Sequence, residues 1–387
     1  MHSERRYYDA IIVGARAAGA ATAMLLARRG RRVLVVDRGR YGADTLSTHG
    51  LMRAGVLQLH RWGLLDRVIE AGTPPIRRTT FTYDARQVVI TIKPSFGVDA
   101  LYAPRRTVLD PILVDAAAEA GAEICYGVTV TDVSRGDHGQ VTGIVGRDED
   151  GRTFAIEAGI VIGADGVRST IADRVAAPIE RAGTGATAVV YGYWSELDTD
   201  GYEWIYRPGS MAGIIPTNDG QACVFAGSTP ARVGAGRVDT LHEILTEASP
   251  DVAARVAAAS APQGVRRFNG LPGFIRRPWG PGWALVGDAG YWKDPISVHG
   301  LTDAFRDAEL LARAIVSSEP GEPDRAEALA EYHATRDRLS RPLFDVVDVI
   351  AAQRWTEGEI PDLLIQLSSA MAAEVEALAA LDAVATR

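Results

Sequence analysis

The segment that most constrains the fold of this chain is GARAAG at residues 14–19, which lies between two apolar runs. Residues 9–14 (DAIIVG) and 32–37 (RVLVVD) are apolar enough for buried strands of a parallel sheet, and residues 17–29 predict a small-residue helix between them. A strand, a helix and a strand within about 30 residues form a right-handed βαβ unit with parallel strands. We therefore predict a Rossmann-like α/β domain at this point of the chain.

The glycines of this segment have the spacing of a dinucleotide-binding loop. Gly14 would make the tight turn after the strand, and Gly19 would let the helix pack closely on the sheet. A pyrophosphate group would then lie on the helix N-terminus, at Ala17 and Ala18. Arg16 replaces the middle glycine, so either the loop bends outward or the guanidinium itself neutralises phosphate.

The second strand ends in an acid, as in folds that bind the ribose of a dinucleotide. Asp37 follows Gly19 by 18 residues and would accept a hydrogen bond from a ribose hydroxyl. An acid there disfavours a 2′-phosphate, so the site is predicted to bind FAD or NAD rather than NADP. The alternative is a turn rich in glycine and alanine that packs a helix on a sheet without any ligand.

Two kinds of segment alternate along the chain, and together they predict an α/β fold with an inserted α+β part. Parallel βα patterns predict a discontinuous nucleotide-binding domain, which comprises residues 1–75, 101–178 and 270–320. Alternation of polar and apolar residues predicts an antiparallel-sheet substrate domain in 76–100 and 179–269. The C-terminal region, 321–387, is predicted to be helical, to pack on the nucleotide domain and to roof part of the substrate pocket.

Composition narrows the classes of partner and site. A net charge of -8 argues against binding to nucleic acid or to an anionic membrane. We find no stretch that approaches the roughly 18 apolar residues of a membrane span and no cleavable signal pattern, so a cytoplasmic location is expected. Two cysteines, Cys125 and Cys223, exclude a disulfide framework, and the seven scattered histidines predict no metal site. The chain is expected to be a monomer or a homodimer.

Two further motifs follow the first one in a characteristic order. Residues 161–169 read VIGADGVRS, and residues 285–289 read LVGDA, followed by Pro295 and Gly300. This order resembles the flavoprotein hydroxylase superfamily, which includes para-hydroxybenzoate hydroxylase, geranylgeranyl reductases and flavin-dependent halogenases. The resemblance covers the nucleotide-binding segments, something over half of the chain, and implies non-covalently bound FAD.

The resemblance implies roles for several residues around FAD. Asp288 would bond the ribityl chain, and Asp165 would belong to a turn between the FAD and nicotinamide sites. Arg106, in RTVLDPIL, would reach the flavin side of the site, with a solvent-exposed arginine in the first helical turn as the alternative. A helix beginning near Leu301 would direct its N–H groups at flavin N1 and O2. The remaining predicted FAD-binding residues are Arg38, Thr48, Val130, Gly287, Pro295 and Gly300.

Candidates for chemistry are less tightly defined by the motifs. His49 follows the second strand in a connection that runs beside the flavin ring in the family, where it could move a proton or simply hydrogen-bond FAD or the loop. Trp292 and His299 are predicted to line the same pocket. The tryptophan-rich halogenase motif is absent, since residues 211–216 (MAGIIP) keep only its Ile-Pro.

The resemblance implies three alternative functions. The first is an FAD-dependent monooxygenase that uses NAD(P)H and O2 on a small organic substrate. The second is an FAD-dependent reductase of carbon–carbon double bonds, a branch that shares these motifs but commonly carries an aromatic-rich YxWxFP segment where this chain has MAGIIP. The third is a flavoprotein without catalytic activity, in which FAD only holds the fold for a partner.

Overall fold

The computed structural model describes residues 7–83, 86–318 and 323–385. The β-strands in these ranges are β1 Tyr7–Val13, β2 Val33–Asp37, β3 Arg78–Tyr83, β4 Arg86–Thr91, β5 Glu123–Tyr126, β6 Thr129–Arg135, β7 Val141–Arg147, β8 Thr153–Gly163, β9 Ile179–Ala182, β10 Ala188–Ser195, β11 Tyr202–Arg207, β12 Ser210–Pro216, β13 Gln221–Ser228, β14 Arg266–Phe268, β15 Phe274–Arg276, β16 Trp279–Gly280, β17 Trp283–Leu285 and β18 Tyr291–Trp292. The α-helices are α1 Ala17–Ala27, α2 Arg53–Arg61, α3 Leu65–Glu70, α4 Arg106–Glu119, α5 Thr170–Arg174, α6 Pro230–Val233, α7 Val238–Ala248, α8 Pro250–Ala258, α9 Gly300–Val316, α10 Pro323–Ala351 and α11 Ile360–Ala385.

The predicted βαβ unit forms the centre of a mixed eight-stranded sheet. Strands β17, β8, β1, β2 and β5 lie side by side and pair in parallel, while β6 and β7 extend β8 in antiparallel pairs. Ile11 and Ile12 in β1 are both fully buried, because the central strand is covered on its two faces. Small side chains such as Ala20 and Ala21 let α1 lie close to the sheet. The Rossmann-like α/β fold class is confirmed.

The predicted insert contains a second, seven-stranded sheet in the order β14-β10-β13-β12-β11-β3-β4. Most neighbours are antiparallel, as the alternating pattern predicts. One pair differs, because β3 lies parallel to β11, with Thr79 opposite Tyr202. Parallel neighbours need a long crossover, and more than a hundred residues separate these two strands, among them the segment 101–178 of the predicted nucleotide-binding domain. The edge strand β4 is exposed along its whole length.

The two C-terminal helices cover an apolar cluster that faces the seven-stranded sheet. Val347 and Ile350 of α10, together with Leu364 of α11, pack in one cluster with Trp204 and Phe225 of the sheet. Within the region 321–387 that is predicted to be helical, α10 begins at Pro323 and continues past an internal proline, Pro342.

Helix α11 differs from the expectation that no segment of the chain is apolar and long enough to span a membrane. Among the helices of the described residues, the segment Ile360–Leu381 is long and apolar enough to cross a membrane by length and composition alone. Glu374 and Leu378 within it are nevertheless buried against the rest of the protein. Only 22% of its most apolar window is buried, and one such helix by itself is weak evidence for a membrane span.

Candidate functional site

The turn between β1 and α1 requires its two glycines. Gly14 has a φ of 110°, and a Cβ atom there would lie 2.4 Å from the carbonyl oxygen of Ala164. A Cβ on Gly19 would lie 1.8 Å from the carbonyl oxygen of Gly14. Larger residues would therefore force the loop, the helix and the neighbouring strand apart. The close approach predicted for a dinucleotide-binding loop is present.

The N-terminus of α1 is open toward a ligand. Arg16 is the N-cap residue, and no side chain of the described residues caps the helix through a hydrogen bond. The Nη1 atom of Arg16 is buried and has no hydrogen-bond partner in the part of the chain that the structure describes. Free N–H groups at Ala17 and Ala18 beside an unpaired guanidinium nitrogen match the chemistry of a pyrophosphate.

Asp37 fixes the same loop from the end of β2. Its Oδ2 accepts a hydrogen bond from the backbone N–H of Ala15 at 2.8 Å, and its Oδ1 accepts one from Gly39 at 2.6 Å. The residue is half-buried, so part of its carboxylate faces the space beside the loop, whereas Arg38 is exposed. The position agrees with a group that could accept hydrogen bonds from ribose, a role that stays a prediction.

The carboxylate of Asp165 accepts hydrogen bonds from the turn in which Asp165 lies. Its carboxylate accepts hydrogen bonds from Ser169 Oγ at 2.5 Å and from the backbone N–H of Thr170 at 2.6 Å, at the start of α5. Burial raises the pKa of this carboxyl. The turn places Ala164 against Gly14, which joins the second motif to the first. Val130, in β6, is buried in the adjoining core.

The third motif lies against the first one as well. Gly287 has a φ of 57°, and a Cβ atom on it would lie 3.0 Å from the Cβ of Ala18. Asp288 follows in a short turn and is half-buried. Burial raises the pKa of Asp288 to about 6, against the opposing influence of Lys293 and then Arg106. An acid in this position can accept a hydrogen bond from a ligand hydroxyl or donate one to it.

The loop before α9 places a second open helix end near this point. Pro295 begins a short turn, and no side chain of the described residues caps α9 at His299. Gly300 is exposed, and a Cβ there would have no heavy atom within 4 Å. Leu301 is buried at the base of the helix. The N–H groups and the positive dipole end of this 17-residue helix therefore face open space.

Val298 holds this loop against the segment that carries His49. Val298 has a φ of 50°, in the left-handed region that β-branched residues rarely adopt. A Cβ on Gly50 would lie 2.4 Å from Val298 Cγ1, so glycine is needed there for the two segments to touch. His49 is also left-handed, with a φ of 66°. Two strained residues thus meet where the α9 loop approaches the second sheet.

The His49 side chain pairs with a tyrosine of the insert. His49 is buried, its Nε2 contacts the hydroxyl of Tyr193, and the two rings stack with centroids 5.5 Å apart. Burial, followed by the charges of Arg106, Arg105 and Arg266, lowers the pKa of His49 well below its usual value. The imidazole is therefore neutral at pH 7. Thr48, next to it, is half-buried.

The two adjacent arginines at the start of α4 have different environments. Arg106 folds back on its own helix and makes two 2.8 Å hydrogen bonds to Asp110. The guanidinium of Arg105 lies 3.6 Å from the ring centroid of Tyr193 and 3.5 Å from Asp44 Oδ2. The family motif RTVLDPIL singled out Arg106 and gave no indication of Arg105 or Tyr193. The two adjacent arginines and the aromatic residues of the insert are the sequence features that could have indicated them.

The other two pocket candidates lie elsewhere around the α9 loop. Trp292 is half-buried in β18, where its Nε1 donates to the carbonyl oxygen of Leu271 at 3.2 Å and its ring lies 5.6 Å from that of Phe268. His299 is fully buried between Asp303 and Glu374. Its ring therefore faces α11, and the structure shows no opening from it toward the pocket among the described residues.

His299 belongs to a buried charge cluster that we define as Lys293, His299, Asp303, Arg306, Asp307 and Glu374. Arg306 contacts three carboxylates of this cluster at distances between 2.8 and 3.1 Å. Lys293 makes a close ion pair with Asp303. The fold also brings together two groups of possible metal ligands that sequence spacing did not reveal. The first is His299, Asp303 and Glu374, and the second is Glu180, His333 and Asp337. In the first group, Lys293 and Arg306 already supply cations to the acids.

Comparison with known proteins agrees with this geometry. The FAD binding domain family matches residues 7–346. Menaquinone reductase of Mycolicibacterium smegmatis is 28% identical over 356 residues, covering 87% of this chain and 83% of that protein. Digeranylgeranylglycerophospholipid reductase of Methanocella arvoryzae is 26% identical over 360 residues, with 87% and 84% covered.

A solved structure shows the same fold at lower identity. PqsL, a probable FAD-dependent monooxygenase from Pseudomonas aeruginosa, superposes with a TM-score of 0.72 at 21% identity, covering 94% of this chain and 99% of that one.

The arrangement fits FAD by criteria internal to the structure. The unpaired Nη1 of Arg16 and the uncapped N-termini of α1 and α9 supply donors for an anionic dinucleotide, and Asp288 follows Gly287, which lies against Ala18. The family match covers most of the chain, and the two relatives that align over more than four fifths of both lengths are named as reductases, which argues against a flavoprotein without activity. The chain belongs to the FAD binding domain family and is an FAD-dependent oxidoreductase.

Proposed function

We propose that this enzyme is an FAD-dependent reductase that adds hydrogen across a carbon–carbon double bond of a substrate with a large apolar part, with NAD(P)H as the source of electrons. The motifs alone rank monooxygenation first. Two relatives that align over more than four fifths of both chains are reductases, and this similarity supports the reverse order.

The observation that carries the proposal is the environment of strand β12. The segment MAGIIP lacks the aromatic residues common in the reductase branch, and Gly213 stands in the tryptophan position. Gly213 lies directly between Trp204 of β11 and Phe225 of β13. A Cβ on Gly213 would lie 2.4 Å from the Phe225 ring. Aromatic rings from the two neighbouring strands therefore fill the space, so the missing motif no longer argues against a reductase.

The proposal assigns the following groups to FAD and to the substrate. Arg16, Asp37, Asp288 and the N-termini of α1 and α9 would hold the cofactor. When bound, FAD supplies the hydride that it receives from NAD(P)H. An apolar wall for the substrate is formed by residues of the seven-stranded sheet and the tail helices, namely Tyr191, Trp204, Met211, Phe225, Val346, Ile350, Leu364 and Leu367.

Reduction of a double bond also requires one proton, and Tyr193 is placed to deliver it. Burial raises the pKa of Tyr193, so its hydroxyl keeps the proton at neutral pH. The Nε2 of neutral His49 contacts this hydroxyl, and in the tautomer that carries its proton on Nε2 the imidazole would donate to the Tyr193 oxygen and leave the O–H free to face the substrate. When the proton moves to the substrate carbon, the positive charge of Arg105 above the ring stabilises the phenolate that remains. Solvent then returns a proton to the oxygen.

An anaerobic turnover experiment tests this function. The purified holoenzyme would receive NAD(P)H and menaquinone or digeranylgeranylglycerophospholipid, the compounds that the relatives' names contain, with O2 removed. After any quinol has been reoxidised in air, a product whose apolar chain has gained two hydrogen atoms, located by fragmentation in the mass spectrometer, is expected. Turnover that requires O2 and adds one oxygen atom would refute the reductase and establish a monooxygenase.

Removal of the Tyr193 hydroxyl tests the proton donor separately. Tyr193→Phe should lower product formation at least about 100-fold while leaving the rate of flavin reduction by NAD(P)H unchanged. Tyr83→Phe, which removes the hydroxyl of a half-buried tyrosine in β3, is the matched control. Equal product formation by the two variants would exclude Tyr193 as the donor.

Monooxygenation is the second candidate, and the likeness to PqsL favours it. PqsL, whose fold is shared, is named as a probable FAD-dependent monooxygenase. In this case the substrate would receive one atom of O2 in the same pocket. The isotope-labelled product formed under ¹⁸O2 would carry the label.

A further inference from the structure

Three arginines converge on one short loop beside the candidate site. Arg266 Nη2 lies 2.7 Å from Asp44 Oδ2, and its Nη1 donates to the carbonyl oxygen of Thr45 at 3.2 Å. Arg105 lies 3.5 Å from the same carboxylate oxygen. Arg16 reaches the carbonyl oxygen of Asp44 at 3.5 Å. The Asp44 carboxylate thus contacts two guanidinium groups, and a third lies at the backbone of the same residue, which leaves an excess of positive charge.

The cluster also has unused hydrogen-bonding capacity. Arg105 Nε and Arg16 Nη1 are buried, and neither has a hydrogen-bond partner within the described parts of the chain. Burying an unpaired charged donor is costly, so such atoms usually face a ligand. Arg106 differs from these arginines because it forms an ion pair with Asp110 on its own helix. Burial, followed by the charges of Arg106, Arg105 and Arg266, lowers the pKa of His49, which agrees with a local excess of positive charge.

The positions of the three arginines indicate two different roles, one for Arg16 and another for Arg105 and Arg266. Arg16 is the N-cap residue of α1 and belongs with the pyrophosphate of FAD. Arg105 stacks on Tyr193. Arg266 lies opposite Tyr191 in the neighbouring strand pair. Both tyrosines pack against the apolar cluster under the tail helices. Arg105 and Arg266 therefore lie where a polar end of a substrate would meet the apolar wall.

We propose that Arg105 and Arg266 form a subsite for an anionic group, a carboxylate or a phosphate, of an amphiphilic substrate whose apolar part lies against the cluster beyond Tyr193. This inference rests on the proposed function for its substrate and adds the acidic group. Guanidinium groups suit such a ligand because they bind carboxylate and phosphate oxygens through two parallel hydrogen bonds. Asp44 contacts both arginines and offsets the repulsion between their positive charges until the anion binds.

Equilibrium binding to the holoprotein tests the subsite without any turnover. The probe is oleate below its micelle concentration, with oleyl alcohol as the neutral counterpart, followed by the change in the flavin absorbance spectrum. Arg105→Gln and Arg266→Gln should each weaken oleate binding about tenfold or more and leave oleyl alcohol unaffected. Arg105→Lys, which keeps the charge, should recover part of the loss.

Arg267→Gln is the matched control, because Arg267 lies next to Arg266 in β14 and instead contacts Asn269 and the carbonyl oxygen of Gly234. It should bind oleate as the unaltered protein does. Retained FAD and an unchanged circular dichroism spectrum verify that each variant is folded. Equal oleate affinity in the Arg105→Gln and Arg267→Gln proteins would overturn the proposal.

A phosphate of NADPH is the other source of the same anionic chemistry. Adenosine 2′,5′-bisphosphate therefore serves as a second probe. If Arg105→Gln weakens binding of this nucleotide and leaves oleate binding unchanged, the subsite belongs to the electron donor, and the assignment to the substrate is wrong. Because binding is measured without turnover, a failed subsite is distinguishable from a failed reductase reaction, which the anaerobic product analysis reports.

Discussion

Replacing Glu374 with glutamine should destabilise the protein through the buried charge cluster. Glu374 is 2% exposed, and its carboxylate lies 3.1 Å from Arg306 Nη1 and 3.0 Å from His299 Nε2. The first contact is a hydrogen bond, whereas the second has ion-pair distance without hydrogen-bond geometry. Glutamine keeps the shape of the side chain and removes its charge. The variant therefore isolates the electrostatic contribution of the tail helix.

The expected magnitude follows from the partners that remain. Breaking a buried ion pair costs about 3–5 kcal/mol when the remaining charge is left unpaired. Arg306 keeps Asp303 at 2.9 Å and Asp307 at 2.8 Å, so we expect a smaller loss of about 2–3 kcal/mol. At roughly 2 °C per kcal/mol for a chain of this size, the melting temperature should fall by about 5 °C.

The effect should depend on pH in one direction. Burial alone raises the pKa of Glu374, but the charges of His299 and Arg306 outweigh it and lower the pKa to about 2. Burial lowers the pKa of His299, whereas Arg306 stays charged at every accessible pH, so the pair with Arg306 dominates. A lowered carboxyl pKa stabilises the fold above the unfolded-state value, near pH 4.5, and this stabilisation is lost as the pH falls toward 2.

Urea unfolding between pH 7 and pH 3, followed by circular dichroism, measures both effects. The difference between the Glu374→Gln and unaltered proteins should be constant near neutral pH and shrink below about pH 4.5. Glu376→Gln is the control, because Glu376 lies on the exposed side of the same helix. Equal stability of the two variants at pH 7 would refute the assignment of Glu374 to the cluster.

Two further variants test the FAD site and the strained loop. Asp288→Ala should weaken FAD binding by about 1.5–3 kcal/mol with little effect on folding, measured by titrating FAD into apoprotein; unchanged affinity would contradict the assigned role. Val298 has a left-handed backbone conformation that costs about 1–2 kcal/mol of stability, and Val298→Gly removes this cost. Val298→Gly should therefore lose at least about 1 kcal/mol less stability than Val190→Gly, a substitution at a fully buried position in β10. Equal losses in urea unfolding would show that the φ of Val298 stores no strain.

Much of the FAD site could be predicted because its determinants are local. Gly14 and Gly19 are required by contacts within one βαβ unit, and their spacing in the sequence expresses that requirement. Asp37 follows a strand whose length and apolar character set its position. Asp288 could be placed by its motif, although only the fold shows that Gly287 lies against Ala18.

The groups around the substrate could not be predicted in this way, because their partners are distant in sequence. His49 and Tyr193 are 144 residues apart, and their contact depends on how the insert folds over the α9 loop. Arg105 and Arg106 are adjacent, and the choice between them depends on Asp110, which holds only Arg106. The parallel pairing of β3 with β11 likewise has no local signal, since an exposed strand alternates in the same way beside a parallel or an antiparallel neighbour.

The backbone of His299 lies beside the helix end where the sequence places it, but its side chain has neighbours that the sequence did not predict. The backbone of His299 does begin α9 beside the open helix end, as a loop that faces the flavin would require. Its ring turns the other way, because Asp303 one turn later and Glu374 in α11 attract it. Since Lys293 and Asp303 pair in the same cluster, the α9 loop and the tail helix form one electrostatic unit. We therefore expect a change in α11 to affect the N-terminus of α9, the predicted FAD-facing end, although the predicted domain boundary at residues 320 and 321 separates the two segments.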